Sequence, residues 1–174
     1  MTGSGQLSLQ IDSVIGSSSG AVLSDCESYR YLLWRRWNDS FPIISWIMLN
    51  PSTADASIDD PTIRRVINFS KRWGFGSCYI ANLFALRATD PRELLKHSDP
   101  IGPECNKHIV EAVRISSKLI CGWGVHGSLQ GRDSDVLSIL ECGAVPYHLG
   151  LTKGGYPRHP LYLASDTEPV AWER

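Results

Sequence analysis

The 174-residue chain lacks several features that would assign it quickly. Its five cysteines (Cys26, Cys78, Cys105, Cys121 and Cys142) are widely spaced, odd in number and form no CxxC pair. Neither a disulfide framework nor a zinc site follows from such spacing. Cys78 and Cys121 instead sit in apolar runs, where a thiol behaves as a small hydrophobe. No positively charged stretch precedes an apolar block at the N-terminus, and no run reaches the roughly 18 apolar residues of a membrane span. Charge of one sign is also missing. Lys+Arg number 17 against 18 Asp+Glu, a formal net charge of -1, which excludes a strongly basic coat or tail for nucleic acid. There is no GxGxxG, Walker A, GxSxG or HExxH motif, and His126 and His148 stand alone. These absences predict a cytoplasmic protein, not associated with membranes, with no cofactor and no metal, and a monomer.

What is present is an ordinary globular composition, 43% hydrophobic and 20% charged, with six tryptophans. That is enough chain to bury a core without staples. Residues 1–20 are Ser/Gly-rich and read as a flexible or peripheral lead-in to one domain over 21–174. Ala21 to Leu23 and Tyr29 to Trp37 predict a hairpin turning at Ser24-Asp25. Four short apolar runs follow: 43–49, 78–83, 119–123 and 145–149. They alternate with helical patterns over 61–73, 91–97, 103–116 and 133–142. Asp60-Pro61 looks like a cap and first turn, with Ile63, Val66, Ile67, Ser70 and Trp73 as the inner stripe. In the helix over 103–116, Ile109, Val110 and Val113 form the expected inner face. Strand–helix alternation predicts an α/β three-layer sandwich around a mostly parallel four-stranded sheet, with the N-terminal β-hairpin added.

Ligands of such sheets bind at the carboxyl ends of the strands. The segments expected there are Asn50 to Asp55, Asn82 with Arg87 to Asp90, Gly122-Trp123-Gly124, and the late GGYPRHPLYL segment. All four are polar, Gly/Pro-rich or aromatic. Asn82 offers a donor and an acceptor suited to a base edge, or else ties neighbouring loops together. Asp55, Asp59 and Asp60 are the carboxylates near Asn50, Asp60 doubling as a helix cap. Arg87 and Arg158 fall beside the site and suit phosphate. Arg35, Arg36 and the basic residues at 64, 65, 71 and 72 read more plainly as solvated surface. Trp123 is a pocket wall or core filler.

Two resemblances follow from these residues. YRYLLWRRW, MLNPSTADASIDDPTIRR, ANLFALRATDP, GWG and GYPRHPLYL, in this order over about residues 21 to 165, resemble the family called domain of unknown function 1643. More distantly, the ordered elements are similar to the uracil-DNA glycosylase superfamily. Leu49-Asn50-Pro51 is like its first motif, Tyr79-Ile80-Ala81-Asn82 like its second strand end, and His159-Pro160-Leu161 like its late His-Pro motif. That resemblance implies a glycosylase-like fold and cleavage of the N-glycosidic bond of a pyrimidine, modified or not, in DNA, with base flipping. It implies that Asn50 positions the water and His159 donates to the departing base. Asp55 would be an assisting carboxylate, while Pro51, Ser52, Asn82, Trp123, Arg87, Arg158 and Leu161 would bind substrate. Three departures stand out. The iron-sulfur branch's cysteines are missing, Leu161 replaces a small residue, and Ser57 to Thr62 holds no aromatic to stack on uracil. Action on a free nucleoside, nucleotide or already modified DNA base is a second expectation, and a non-catalytic nucleobase- or nucleic-acid-binding module a third.

Overall fold

The computed structural model describes residues 18–141 and 143–173. Most of the predicted lead-in over 1–20, and Cys142, lie outside them.

The order of elements is β1 (Ser19–Leu23), β2 (Arg30–Arg36), β3 (Ile43–Met48), α1 (Pro61–Arg72), β4 (Ser77–Asn82), α2 (Cys105–Ile115), β5 (Lys118–Cys121), α3 (Arg132–Leu140), β6 (Pro146–His148) and β7 (Val170–Ala171). Three 3-10 turns interrupt the loops, at Pro91–Leu95, Val125–Gly131 and Pro160–Tyr162. The sheet has seven strands, in the order β1-β2-β4-β3-β5-β6-β7, where a four-stranded central sheet with an added hairpin was expected. The pairs β3–β4, β3–β5 and β5–β6 are parallel. Antiparallel strands extend both sides: β1 and β2 beyond β4, β7 beyond β6. The β1–β2 pair is the expected hairpin, Ala21 facing Leu33.

Period-two alternation of apolar residues distributes the core over both faces of the sheet. Ile44, Trp46 and Met48 of β3, with Cys78, Ile80 and Ile120, pack against Ile63, Val66 and Phe69 of α1. Ile47, Tyr79, Ala81, Leu119 and Cys121 point the other way, against Ile109 and Ala112 of α2 and Val136, Leu137 and Leu140 of α3. Burial pushes the Cys78 thiol up to about 12, as suits an inert core residue.

Asp60 begins α1 as read from sequence: its Oδ1 accepts from the Ile63 amide at 2.8 Å, with Pro61 in the first turn. The buried stripe of α1 is Ile63, Val66, Phe69 and Ser70. In α2 the inner face comprises Cys105, His108, Ile109 and Ala112, and Val110 is 41% exposed. Of the expected Ile109–Val110–Val113 face, Ile109 lies in the core and Val113 packs half-buried against it, while Val110 turns outward because Cys105, His108 and Ala112 complete the stripe through Ile109.

The chain runs from β3 outward to β4, then back across β3 to β5. That reversal leaves the carboxyl end of β3 at a topological switch point, where open α/β sheets form crevices.

Candidate functional site

A pocket of about 490 Å³ opens at this switch point. Its wall comes from the ends of β3 (Met48, Leu49, Asn50, Ser52), of β4 (Asn82, Ala88, Thr89) and of β5 (Trp123 to His126), closed by His159, Leu161 and Tyr162. Asp60, Thr62 and Ile63 contribute the start of α1, and Arg30 the start of β2.

Asn50 has a fixed orientation. Its Nδ2 donates to the Pro51 carbonyl at 3.0 Å and the Ala88 carbonyl at 2.8 Å. Only the amide nitrogen can serve two carbonyls, so the side-chain oxygen is left for other partners. The Pro51 carbonyl also accepts from the Ala88 amide at 2.9 Å, which ties the β3 and β4 loops together.

Asn82 ends β4 and is 3% exposed, yet its Nδ2 has no acceptor among the described residues. Buried donors are almost always paired, so an unpaired one lining a pocket is available to a polar partner there, water or ligand.

His159 reaches the pocket because Gly122 permits close approach. A β-carbon at Gly122 would lie 3.3 Å from the Pro160 ring and 3.2 Å from Met48 Sδ. Two bonds hold the returning loop: the Gly124 amide donates to the Pro157 carbonyl (2.8 Å), and the Arg158 amide to the Gly150 carbonyl (2.9 Å). Arg65 reinforces it by donating to the Leu163 carbonyl. His159 Nδ1 accepts from the Leu161 amide at 3.3 Å, so in the neutral ring the proton sits on Nε2. Burial lowers its pKa, partly opposed by the Asp60 carboxylate. The neighbouring Arg158 is exposed, and its Nε turns to the Leu151 carbonyl at 3.2 Å.

The pocket thus gathers Asn50, Ser52, Asn82, Trp123, His159 and Leu161 from separate stretches of chain. Pro51, Asp55, Arg87 and Arg158 do not line it. Asp55 folds back on its own turn: Oδ1 accepts from the amides of Ser57 (2.8 Å) and Ile58 (2.7 Å). Those amide bonds hold its carboxyl below the usual value. Asp59 pairs with Arg35 at 2.8 Å. Asp60 is therefore the carboxylate that reaches the pocket, while also capping α1. Arg87 donates weakly to the Glu27 carbonyl at 3.3 Å.

Arg30 escaped the sequence reading altogether. It is 2% exposed, and its Nη1 donates to the Ala54 carbonyl while Nε has no acceptor. Burial lowers its pKa to about 10, with Asp60 acting in the opposite direction. Among the described residues no group of three or more His, Cys, Asp or Glu could hold a metal ion, and no helix is long and apolar enough to cross a membrane.

Residues 30–161 match the family model described as a protein of unknown function, DUF1643. The chain belongs to that family. The matched span begins at Arg30 and ends at Leu161, so it contains the whole pocket lining except Tyr162. No curated protein and no solved structure matches this DUF1643 member.

Proposed function

We propose that this DUF1643 protein is a glycosylase-like hydrolase that cleaves the N-glycosidic bond of a pyrimidine nucleotide unit, modified or not, in DNA. The observation that carries the reading is the meeting of Asn50, Asn82 and His159, from three distant stretches of sequence, on one pocket. In this reaction a water oxygen bonds to the sugar C1′ as the C1′–N bond breaks, and the base leaves with the bonding pair. Charge develops positive on the sugar and negative on the base. The Asn50 side-chain oxygen is oriented to hold the water, and Asp60 supplies negative charge from the same wall. His159, neutral with its proton on Nε2, donates to the departing base without the cost of burying a second cation. Asn82 reads the base edge. Tyr162 is 85% exposed at the rim, where its ring can stack on a neighbouring base of an opened or single strand.

One observation favours a second reading, action on a free nucleoside or nucleotide. The arginines of α1, and Arg132, are largely engaged internally. Arg65 serves the His159 loop, Arg72 the carbonyls of Ser165 and Thr167, and Arg132 the β4 loop. Few are left to follow a phosphate backbone.

The test is a panel of oligonucleotides carrying uracil, hydroxymethylated or glycosylated pyrimidines, assayed for abasic sites. At least one substrate should be cleaved, and His159→Ala should reduce the rate by about 10²–10³ with the fold intact. No abasic product from any member would overturn cleavage in DNA. Salt-dependent DNA affinity without product would instead indicate a binding module.

A further inference from the structure

The pocket contains a cation that the protein itself does not neutralise. Arg30 is 2% exposed and makes no ion pair among the described residues. Its one side-chain hydrogen bond is to a neutral carbonyl, that of Ala54, and Nε is buried without an acceptor. Of the two carboxylates that act on it, Asp60 acts more strongly than Asp55, and its Oδ1 is already engaged by the Ile63 amide. A buried guanidinium satisfied this poorly costs free energy that an anionic partner would return. Asn82 adds a second unpaired, buried donor on the same wall. The first turn of α1, a twelve-residue helix, adds Thr62 and Ile63 to the lining, and its N-terminal dipole also favours negative charge.

We infer that this pocket is an oxyanion site: Arg30, together with Asn82, holds an anionic oxygen group carried by the pyrimidine ligand. The proposal rests on the nucleobase reading of the pocket and adds the charge of what enters it. A guanidinium and an amide donor lining the same pocket can between them serve two oxygens of one planar or tetrahedral anion. The oxyanion has two possible sources, an acidic substituent on the ring or the phosphate of a nucleotide. Arg30 is then a specificity residue that rejects neutral pyrimidines, because they would leave it unpaired.

Calorimetric titration of the full chain with free ligands tests this without asking for catalysis. The probes are 5-carboxyuracil, its neutral amide 5-carbamoyluracil, deoxyuridine and deoxyuridine monophosphate. An anionic member should bind about 10- to 100-fold more tightly than its neutral counterpart, the worth of one charge-assisted hydrogen bond. Preference for 5-carboxyuracil over its amide assigns the oxyanion to the ring. Preference confined to the monophosphate assigns it to the phosphate. In Arg30→Met the preference should vanish, and Arg30→Lys should restore part of it. The wild-type comparison stands even if a variant fails to fold. Equal affinity for charged and neutral partners, or no binding by any of the four, overturns the proposal. Abasic sites from a neutral base together with equal affinities would sink the oxyanion and leave the glycosylase reading intact. Tight oxyanion binding with no abasic product would do the reverse.

Discussion

Arg30 and Arg132 are equally buried, each 2% exposed, and they are spent in opposite ways. Arg132 opens α3 and donates to the Leu83 carbonyl at 2.7 Å and to Asn106 Oδ1 at 2.6 Å, with Cys105 Sγ at 3.6 Å. It fastens the end of β4 to α2 and α3. Arg30, at the start of β2, lines a pocket, and among the described residues it has a single carbonyl acceptor and none for Nε. Burial by itself therefore says nothing about role. The division between structural and ligand-binding polar groups lies in whether the protein completes their bonding. The same division separates Asn50, whose amide nitrogen serves two carbonyls, from Asn82, whose amide nitrogen serves none.

The largest effect should come from Arg132→Met. The substitution keeps much of the aliphatic volume but strands the buried Leu83 carbonyl, at roughly 1–3 kcal/mol, and also loses the bond to Asn106 at the surface. A loss of about 3 kcal/mol in urea unfolding is expected. A loss under about 1 kcal/mol would show that Arg132 is no more structural than Arg30, and the contrast would collapse.

Acid should act next, through histidines whose burial is completed by backbone donors. His148 Nδ1 accepts from the Gly150 amide at 3.0 Å, as His159 Nδ1 does from Leu161. Desolvation lowers the pKa of both, and of His108, where burial outweighs Glu111 and Glu104. With folded values below the ordinary 6.5, the unfolded chain binds more protons in the window beneath it. Their stability is full above that pH and falls as pH drops through the window. The melting temperature should decline between pH 7 and pH 5, and His159→Gln should flatten part of that decline. Asp55 and Asp90 act much lower, since hydrogen bonds depress both carboxyls, Asp90 to about 2. A melting temperature that rises on acidification from pH 7 to 5 would contradict the assignment of neutral, buried rings.

Much of this arrangement was legible in the sequence because it is local. The apolar runs before Asn50 and Asn82 mark strands covered on both faces, so the residues after them had to lie at the sheet's carboxyl edge. Asp60-Pro61 announces a helix start. What escaped depends on contacts far apart in sequence. Arg30 joins the site only because β2 is antiparallel to β4, with Leu33 opposite Ile80, which brings the beginning of β2 to the ends of the parallel strands. Arg65 and Arg72 read as solvated because their acceptors, the Pro160 and Leu163 carbonyls for one and the Ser165 and Thr167 carbonyls for the other, lie more than ninety residues away. Asp55 was misplaced for the opposite reason: its own turn captures the carboxylate before any pocket can.

The smallest effect on stability should come from the unpaired side, and it is the sharpest test of the contrast. Asn82→Leu removes a buried amide with no side-chain hydrogen bond among the described residues and replaces it with apolar atoms of similar size. Little bonding is lost, and desolvation of the amide is relieved. Stability should stay within about 1 kcal/mol of wild type or rise, while affinity for any ligand of the pocket falls. Arg30→Met should stay in the same range, because relief of a buried charge without an ion-pair partner offsets the loss of its hydrogen bond to the Ala54 carbonyl. If either variant instead loses stability on the scale of Arg132→Met, its polar group is holding the fold and not waiting for a ligand. Stability kept together with unchanged ligand affinity would show a tolerated defect, since nothing would then complete the unpaired donors. Only the combination of retained stability and lost binding separates a prepared site from either outcome, as expected where local bonding has been left incomplete for function.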